Sequence, residues 1–223
     1  MFWLSLLLAA GAVSAGYVPA LQVPACSAGT GSVEYSKSVP EQVAFPRTQV
    51  DLCYDDSFIH ITFRALEETN FYYNESQTTN EGIWQYEAME AFIYHGTNDP
   101  QSYLEFEVNP NNVTFQAWIY NPSKVRAAGA PLDTSFLTTP IVDGLTTETT
   151  LDREAQTWVT DAKIPLGLFN VDVGKAAGTQ WRMNFFRIVV SPDTFPDQLL
   201  GAWNPTNETN FHMTPFFGNV DFV

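Results

Sequence analysis

The sequence predicts an all-β protein, an antiparallel β-sandwich or jelly roll of immunoglobulin-like type with few or no helices. Apolar and polar residues alternate over much of the chain, which is the two-residue period of a half-buried strand. Clusters of Asn, Asp, Gly and Pro separate these stretches, and no segment longer than one or two turns has the pattern of an amphipathic helix. Several such strands within 223 residues are typical of one sandwich domain.

The N-terminal part of the chain divides into two segments before the regular alternation starts. Residues 1–15 are predicted to be a signal peptide, since an apolar run ends in the small residues Val13-Ser14-Ala15. Residues 16–49 are rich in Pro, Ser, Gly and Ala with little periodicity, which predicts an irregular arm. Residues 50–223 are predicted to form the single folded domain of a secreted, extracellular protein.

The two cysteines and three glycosylation sequons fit that location. Cys26 and Cys53 are predicted to form one disulfide in an oxidising compartment, the alternative being two free buried thiols. Asn74, Asn112 and Asn207 each begin an Asn-X-Ser/Thr sequon and are expected at the surface, where they would be glycosylated.

From Val50 onward the chain predicts a series of strands joined by polar turns. A β-hairpin is predicted first, and a long polar loop over Glu67–Gly82 follows it. Residues 121–151 are predicted to be loop, and Leu166–Phe169 a single helical turn. The predicted strands are Val50–Tyr54, Phe58–Ala65, Glu87–Tyr94, Tyr103–Val108, Thr114–Tyr120, Trp158–Ile164, Gln180–Val190 and Asn219–Val223.

The charge of the chain excludes two classes of partner. A formal net charge of −15 argues against nucleic acid and against an anionic membrane, since both require basic surface patches. We therefore expect a protein that binds neither of them. We also expect a monomer.

The stretch Ile83–Tyr94 carries the first indication of a binding site. Read as a strand, it places Glu90 and Phe92 on the same face, and Trp84 comes just before it. A sugar ring packs its C–H groups on a flat aromatic face and needs fixed acceptors, such as carboxylates, for its hydroxyls. The stretch therefore predicts a carbohydrate ligand.

The tryptophans divide into two groups by their surroundings. Trp118, Trp158 and Trp181 lie inside alternating strands, which predicts core packing. Trp84 and Trp203 lie in polar, turn-rich segments, where a large apolar ring has less reason to be buried. The hypothesis that follows is a pair of exposed indoles that hold a sugar between them.

A glycoside hydrolase is the first alternative that the residues leave open. Glu105 and Glu107 share a strand face about 6.5–7 Å apart at the backbone, close to the spacing of an inverting catalytic pair. The same spacing also occurs in an ordinary solvated strand face.

Metal and haem sites have weaker support. Asp55 and Asp56 at the first hairpin turn are weak candidates for binding Ca²⁺, and no cofactor is required. An electron-transfer haem domain would use a Met/His axial pair, for which core methionine is the plainer interpretation. Its candidates would be Met89, Met183 and Met213 with His60, His95 and His212.

Six segments occur in an order that resembles the family 9 carbohydrate-binding module, and most closely its single-domain secreted fungal relatives. They are G-I-W-Q-Y-E-A-M-E-A-F-I, Y-L-E-F-E-V-N-P-N, W-V-T-D-A-K-I-P-L, W-R-M-N-F-F-R, G-A-W-N-P and F-H-M-T-P-F-F-G-N-V-D-F. The resemblance covers about residues 50–223. It implies a β-sandwich that holds sugar between two tryptophans and carries structural calcium. Such modules usually accompany enzymes that degrade xylan and related polysaccharides, and no catalytic domain is recognisable in this chain.

The resemblance also implies which residues bind the sugar. Trp84 and Trp203 would be the two tryptophans, and Glu90 the carboxylate that accepts hydroxyl protons. Three further positions, Asn184, Arg187 and His212, match recurring positions of the family. For Arg187 a buried ion pair is the alternative, because it shares a strand face with Trp181 and Phe185. The function expected is non-catalytic carbohydrate binding.

Overall fold

The computed structural model of the chain describes residues 18–223, which form a sandwich of two β-sheets. The predicted signal peptide, residues 1–15, lies outside them. The thirteen strands are β1 Ala20–Val23, β2 Gly31–Lys37, β3 Ala44–Tyr54, β4 Phe58–Ala65, β5 Ala88–His95, β6 Ser102–Val108, β7 Thr114–Tyr120, β8 Asp133–Phe136, β9 Thr146–Asp152, β10 Thr157–Pro165, β11 Gln180–Val189, β12 Leu199–Ala202 and β13 Gly218–Phe222. Single 3₁₀ turns span Ile83–Gln85, Leu166–Phe169 and Thr214–Phe216.

The strands form one eight-stranded and one five-stranded sheet. The larger sheet has the order β1-β13-β11-β5-β6-β7-β8, with β12 also paired to β11, and the smaller has the order β2-β3-β4-β10-β9. All pairs are antiparallel except β1 with β13. The predicted fold class is confirmed, since none of residues 18–223 lies in an α-helix. In this part of the chain no helix is long and apolar enough to cross a membrane.

The eight-stranded sheet is apolar on both of its faces. On its inner face, Met89 and Ile93 of β5 belong to the main core between the sheets. On its outer face, Ala88 and Phe92 of the same strand belong to a second apolar cluster. Ile83 and other loop residues cover that second cluster, so the outer face is a layer buried by loops rather than a solvent-exposed surface. The candidate site lies in this outer layer.

The tryptophans of the regular strands pack as predicted. Trp158 and Trp181 are fully buried in the main core, and the half-buried Trp118 packs against it. Side chains alternate between the two faces of a strand, so the sequence predicts that these rings are interior before the neighbouring strands are known.

Two segments that the sequence predicted to be irregular contain strands. Residues 16–49 include β1, β2 and the first part of β3, so the predicted irregular arm is wrong. Its alternation is short, with Val33 and Tyr35 buried and Glu34 and Ser36 exposed. Residues 121–151, predicted to be loop, contain β8 and most of β9, both at sheet edges. Each pairs with a longer neighbouring strand, β8 with β7 and β9 with β10, so tertiary pairing rather than local pattern forms them.

The predicted disulfide is confirmed. Cys26 and Cys53 are bonded across a sequence separation of 27 residues, which attaches the N-terminal segment to β3. The chain-entropy model gives such a loop a stabilisation of about 3–4 kcal/mol. Of the sequon asparagines, Asn112 and Asn207 are exposed and Asn74 is half-buried, and their glycosylation stays a prediction.

Candidate functional site

A cavity of about 290 Å³ opens on the outer face of the eight-stranded sheet. Its floor consists of side chains from β5, β6, β7 and β11, and its rim consists of loops. The floor residues are Glu90, Phe92, Glu105, Glu107, Phe115, Ile119 and Ile188. The rim residues include Trp84, Arg126, Gln198, Thr209, Asn210 and His212. The arrangement is an apolar pocket with polar groups grouped at one place, as small-ligand sites generally are.

Three carboxylates meet on the floor of this cavity. Glu90 of β5 pairs directly with Glu107 of β6, and Glu105 lies two residues from Glu107 on the same face. An oxygen from each of the three lies within 4.8 Å of the others. As whole residues, Glu90, Glu105 and Glu107 are 2%, 7% and 1% exposed. Strand register therefore concentrates three acidic groups where water hardly reaches them.

Burial shifts the ionisation of all three groups. Desolvation raises the pKa of Glu105 to about 8. Desolvation, together with the neighbouring carboxylates, raises the pKa of Glu90 and of Glu107 well above the usual value for glutamate. Without a bound cation, protonated carboxyl groups are therefore favoured at this site.

Trp84 is positioned at the rim by the 3₁₀ turn that precedes β5. Ile83 is fully buried in the outer cluster, while the adjacent Trp84 is 42% exposed. The indole contacts Phe115 at 5.3 Å between ring centroids with an interplanar angle of 84°. The Gln198 side chain donates a hydrogen bond to the carbonyl oxygen of Trp84, which joins two rim loops. The backbone of Trp84 is thus held by Gln198, and its ring contacts Phe115 edge-on rather than by stacking.

His212 also lines the cavity, where two neighbours contact its ring. The hydroxyl oxygen of Tyr103 lies 2.6 Å from Nδ1, and an oxygen of Glu105 lies 3.9 Å from Nε2. Burial, assisted by the charge of Arg126, lowers the pKa of His212 to about 3. His212 is therefore neutral near pH 7 and does not balance the charge of the glutamates.

The predicted clamp of two tryptophans is wrong in its geometry. Trp203 is half-buried and packs against the main core on the inner face of the sheet, with its ring 5.7 Å from that of Phe185. The Trp203 ring also lies directly over Gly218, where even an added Cβ would collide with it. Trp84 instead contacts the outer cluster, so the sheet separates the two indoles.

Asn184 and Arg187 also lie away from the cavity. The side chain of Asn184 is fully buried and hydrogen-bonds to both the N–H and the carbonyl of Asn204, which attaches the loop after β12 to β11. Arg187 points to the inner face and forms an ion pair with Glu68 at 2.9 Å, with both side chains 1% exposed. The alternative of a buried ion pair for Arg187 is therefore confirmed, and the positions of both residues correct the expectation that they reach the sugar.

The geometry does not favour the predicted inverting glycosidase pair. Oxygens of Glu105 and Glu107 lie within 4.8 Å of each other. An inverting pair needs its carboxyl groups about 6.5–9.5 Å apart to leave room for water. Both groups also lie on the same strand face, rather than on opposite sides of a cleft.

Two of the haem candidates and one of the calcium candidates have other roles in the structure. Met89 and Met183 are fully buried in the main core. At the β3–β4 turn, one carboxylate oxygen of Asp55 accepts hydrogen bonds from two backbone N–H groups, and the other lies 2.7 Å from Nε2 of His60. Asp55 therefore already uses both of its oxygens in stabilising the turn.

Sequence reasoning missed several residues of the rim. Arg126, Gln198 and Asn210 all lie in segments between strands, where no periodicity relates them to Trp84 or Glu90. Glu105 and Glu107 were singled out, but as a catalytic pair rather than as neighbours of Glu90. Only the pairing of β5 with β6 brings the three glutamates together.

Comparison with solved structures identifies the class of fold. A candidate carbohydrate-binding protein from Bacteroides uniformis superposes with a TM-score of 0.69 at 16% identity, covering 92% of this chain and 99% of that one. A family 9 carbohydrate-binding module from Caldicellulosiruptor kristjanssonii, in complex with cellotriose, gives 0.61 at 13% identity over 91% and 93% of the two chains. A family 9 module from the same organism with glucose gives 0.53 at 15% identity over 79% and 76%. The chain shares the fold of these proteins.

A relative in sequence shows the family. An extracellular protein of the fungus Arthroderma benhamiae is 49% identical over 205 residues, which is 92% of this chain and 91% of the relative. The chain belongs to the family of this fungal extracellular protein, and its predicted extracellular location is confirmed. No protein-family model matches the chain.

Proposed function

We propose that the protein binds carbohydrate without catalysis in the cavity on the outer face of the eight-stranded sheet. The observation that carries the proposal is Trp84, an indole that remains 42% exposed at the rim above a floor of buried carboxyl groups. An exposed, immobilised aromatic face suits the C–H face of a pyranose ring. A cavity of about 290 Å³ suits one sugar unit or the end of a chain rather than a long segment of polysaccharide.

The polar groups of the cavity suit the hydroxyls of such a ligand. A sugar hydroxyl both donates and accepts hydrogen bonds, so its partners must do both. Glu90 accepts through its carboxyl oxygens, and it also donates when it carries the proton that its raised pKa favours. Gln198 and Asn210 place amide groups at the rim; the NH₂ group of each donates one hydrogen bond within the protein and has a second hydrogen to donate. We propose that these groups set the orientation of the sugar while Trp84 supplies most of the contact area.

The structural neighbours support this proposal and suggest the first ligands to test. The family 9 modules with the same fold are complexes with cellotriose and with glucose. Gluco-oligosaccharides are therefore the first ligands we propose for this chain. Xylo-oligosaccharides are the second, because the sequence resembles modules that accompany xylan-degrading enzymes.

Calorimetric titration of the secreted protein tests the proposal. Glucose, cellotriose and xylo-oligosaccharides are titrated into the wild type and into Trp84→Ala. Loss of the indole is expected to weaken binding by about 1–3 kcal/mol, a tenfold loss or more. Tyr120→Ala is the matched control, since Tyr120 is a 47% exposed aromatic residue on β7 that does not line the cavity.

Two results would contradict the proposal. One is a wild-type protein that binds none of these sugars or of a wider glycan array. The other is a Trp84→Ala protein that binds as tightly as the wild type and the Tyr120→Ala control.

A further inference from the structure

Among residues 18–223, the three floor carboxylates have no positively charged partner in contact with them. Their one ion-pair contact is that of His212, whose Nε2 lies 3.9 Å from an oxygen of Glu105, and His212 is neutral near pH 7. One oxygen of Glu107 is completely shut off from solvent and has no hydrogen-bond partner at all. Glu107 as a whole is only 1% exposed, and it lines the cavity. A buried oxygen without a partner is unusual, because losing water without a replacement is unfavourable by about 1–3 kcal/mol.

Other buried acidic groups of this protein do have partners. Glu68 is also 1% exposed, yet it pairs with Arg187 and accepts hydrogen bonds from the backbone N–H groups of Asn70 and Phe71. Glu87 is fully buried and accepts a hydrogen bond from the backbone N–H of Tyr72. The cluster of three is therefore exceptional within the described chain, because an oxygen of Glu107 is buried without any partner.

We propose that Glu90, Glu105 and Glu107 form a binding site for a hard divalent cation of the Ca²⁺ type on the floor of the cavity. The donor atoms are carboxylate oxygens, which Ca²⁺ and Mg²⁺ prefer. Oxygens on opposite sides of a Ca²⁺ ion are about 4.6–5.2 Å apart, whereas those around Mg²⁺ are about 4.0–4.2 Å apart. The oxygens of the cluster lie within 4.8 Å of one another, so one ion of either size can contact all three.

The charge around the cluster also fits a divalent ion. Arg126 lines the same cavity and its charge acts on Glu105, and a divalent cation would offset most of the negative charge that remains. His212 points its Nε2 toward Glu105 from 3.9 Å, so it borders the site without blocking it. The remaining coordination positions of the ion would open into the cavity. The site is separate from Asp55 and Asp56, and it goes beyond the proposed sugar binding, so its test uses no sugar.

Thermal unfolding with and without Ca²⁺ tests the proposal on the secreted protein after treatment with a chelator. At a Ca²⁺ concentration a hundredfold above Kd, the wild-type Tm is expected to rise by about 5–10 °C. A triple variant, Glu90→Gln, Glu105→Gln and Glu107→Gln, is expected to lose this rise. In chelator its Tm is expected to equal or exceed that of the wild type, because neutral amides are less unfavourable to bury than carboxylates.

A matched triple variant controls for the change in net charge. Asp56→Asn, Glu148→Gln and Glu154→Gln removes the same number of charges from exposed positions outside the cavity. The control is expected to retain the full Ca²⁺-dependent rise in Tm. It also removes Asp56, the weak calcium candidate of the hairpin turn.

Terbium luminescence provides a second measurement that does not depend on the triple variant folding. Tb³⁺ replaces Ca²⁺ at oxygen sites and emits when a nearby tryptophan transfers energy to it, and Trp84 lines the same cavity. Trp84→Phe is expected to reduce the sensitised emission while retaining the Ca²⁺-dependent rise in Tm. The single substitution Glu107→Gln is expected to weaken Tb³⁺ binding at least tenfold.

The proposal is overturned if Ca²⁺ changes neither the Tm nor the Tb³⁺ emission of the wild type, in which case protons alone balance the cluster. It is equally overturned if the Glu→Gln triple variant, or Glu107→Gln by luminescence, binds the ions as the wild type does, because the ion then lies elsewhere.

Discussion

Replacing Arg187 by methionine is expected to destabilise the fold strongly and to leave the cavity unchanged. One terminal nitrogen of the guanidinium, Nη1, donates hydrogen bonds to the carbonyls of Arg47 and Leu66 and to the hydroxyl of Thr48. The other, Nη2, donates to Glu68 at 2.9 Å. This one side chain therefore joins β11 to β3 and to the segment after β4.

The expected magnitude follows from the burial of the pair. Both side chains of the Arg187–Glu68 pair are 1% exposed, so methionine leaves an ionised carboxylate in the interior without its counter-charge. Breaking a buried pair from one side costs about 3–5 kcal/mol of folding free energy. For a domain of this size a loss of 4 kcal/mol corresponds to a decrease in Tm of about 8–16 °C.

Urea unfolding followed by tryptophan fluorescence measures the loss, and calorimetric scanning measures the Tm. Arg64→Met is the matched control, since the Arg64–Asp51 pair lies nearer the surface, with 39% of the Arg64 side chain and 13% of the Asp51 side chain accessible. Its substitution is expected to change stability by less than about 1 kcal/mol. Adding Glu68→Gln to Arg187→Met is expected to recover part of the loss, because a neutral amide is less unfavourable to bury without a partner than a carboxylate.

Two outcomes would refute this reasoning. An Arg187→Met protein destabilised no more than Arg64→Met would mean that the buried pair contributes nothing. An Arg187→Met protein with normal stability and lost sugar affinity would mean that the side chain reaches the ligand, as the family resemblance implied and the structure does not.

Two further substitutions test the roles of Trp203 and Glu87. Trp203→Ala is expected to lower the free energy of unfolding by about 3 kcal/mol, because Trp203 packs on the inner core. The folded variant is expected to keep its sugar affinity. Urea unfolding measures the first quantity, and calorimetric titration measures the second. Burial, and then the charge of Glu68, raises the pKa of Glu87 to about 8, with Arg187 acting in the opposite direction. A raised carboxyl pKa stabilises the fold when the group is protonated, and this contribution is lost as the pH rises from about 4.5 to about 8. Urea unfolding at pH 5 and pH 8.5 is therefore expected to show Glu87→Gln gaining stability relative to the wild type, by at most about 4–5 kcal/mol.

These two predictions fail under clear conditions. A Trp203→Ala protein that folds with normal stability but binds sugar tenfold more weakly would return Trp203 to the binding site. A stability difference between Glu87→Gln and the wild type that stays constant over the pH interval would mean that Glu87 is ionised throughout it.

The strands and the interior tryptophans could be predicted because both depend on local alternation. A strand places successive side chains on opposite faces, so the patterns of β4, β7 and β11 indicated their inward residues before any partner was known. The disulfide could be predicted because the chain has two cysteines and was expected in an oxidising compartment. The short edge strands β1, β8 and β9 were missed because their stability comes from a neighbouring strand rather than from their own sequence.

The sequence by itself determined an extracellular, acidic β-sandwich with an exposed Trp84 near Glu90. Only the tertiary structure decided which face of the sheet each later residue reaches. The register of β12 against β11 sends Trp203 to the inner face beside Phe185. The register of β5 against β6 brings three glutamates together on the outer face. Both outcomes depend on hydrogen-bonded pairing between strands distant in sequence, and a shift of one residue in that pairing would reverse the face of every side chain involved.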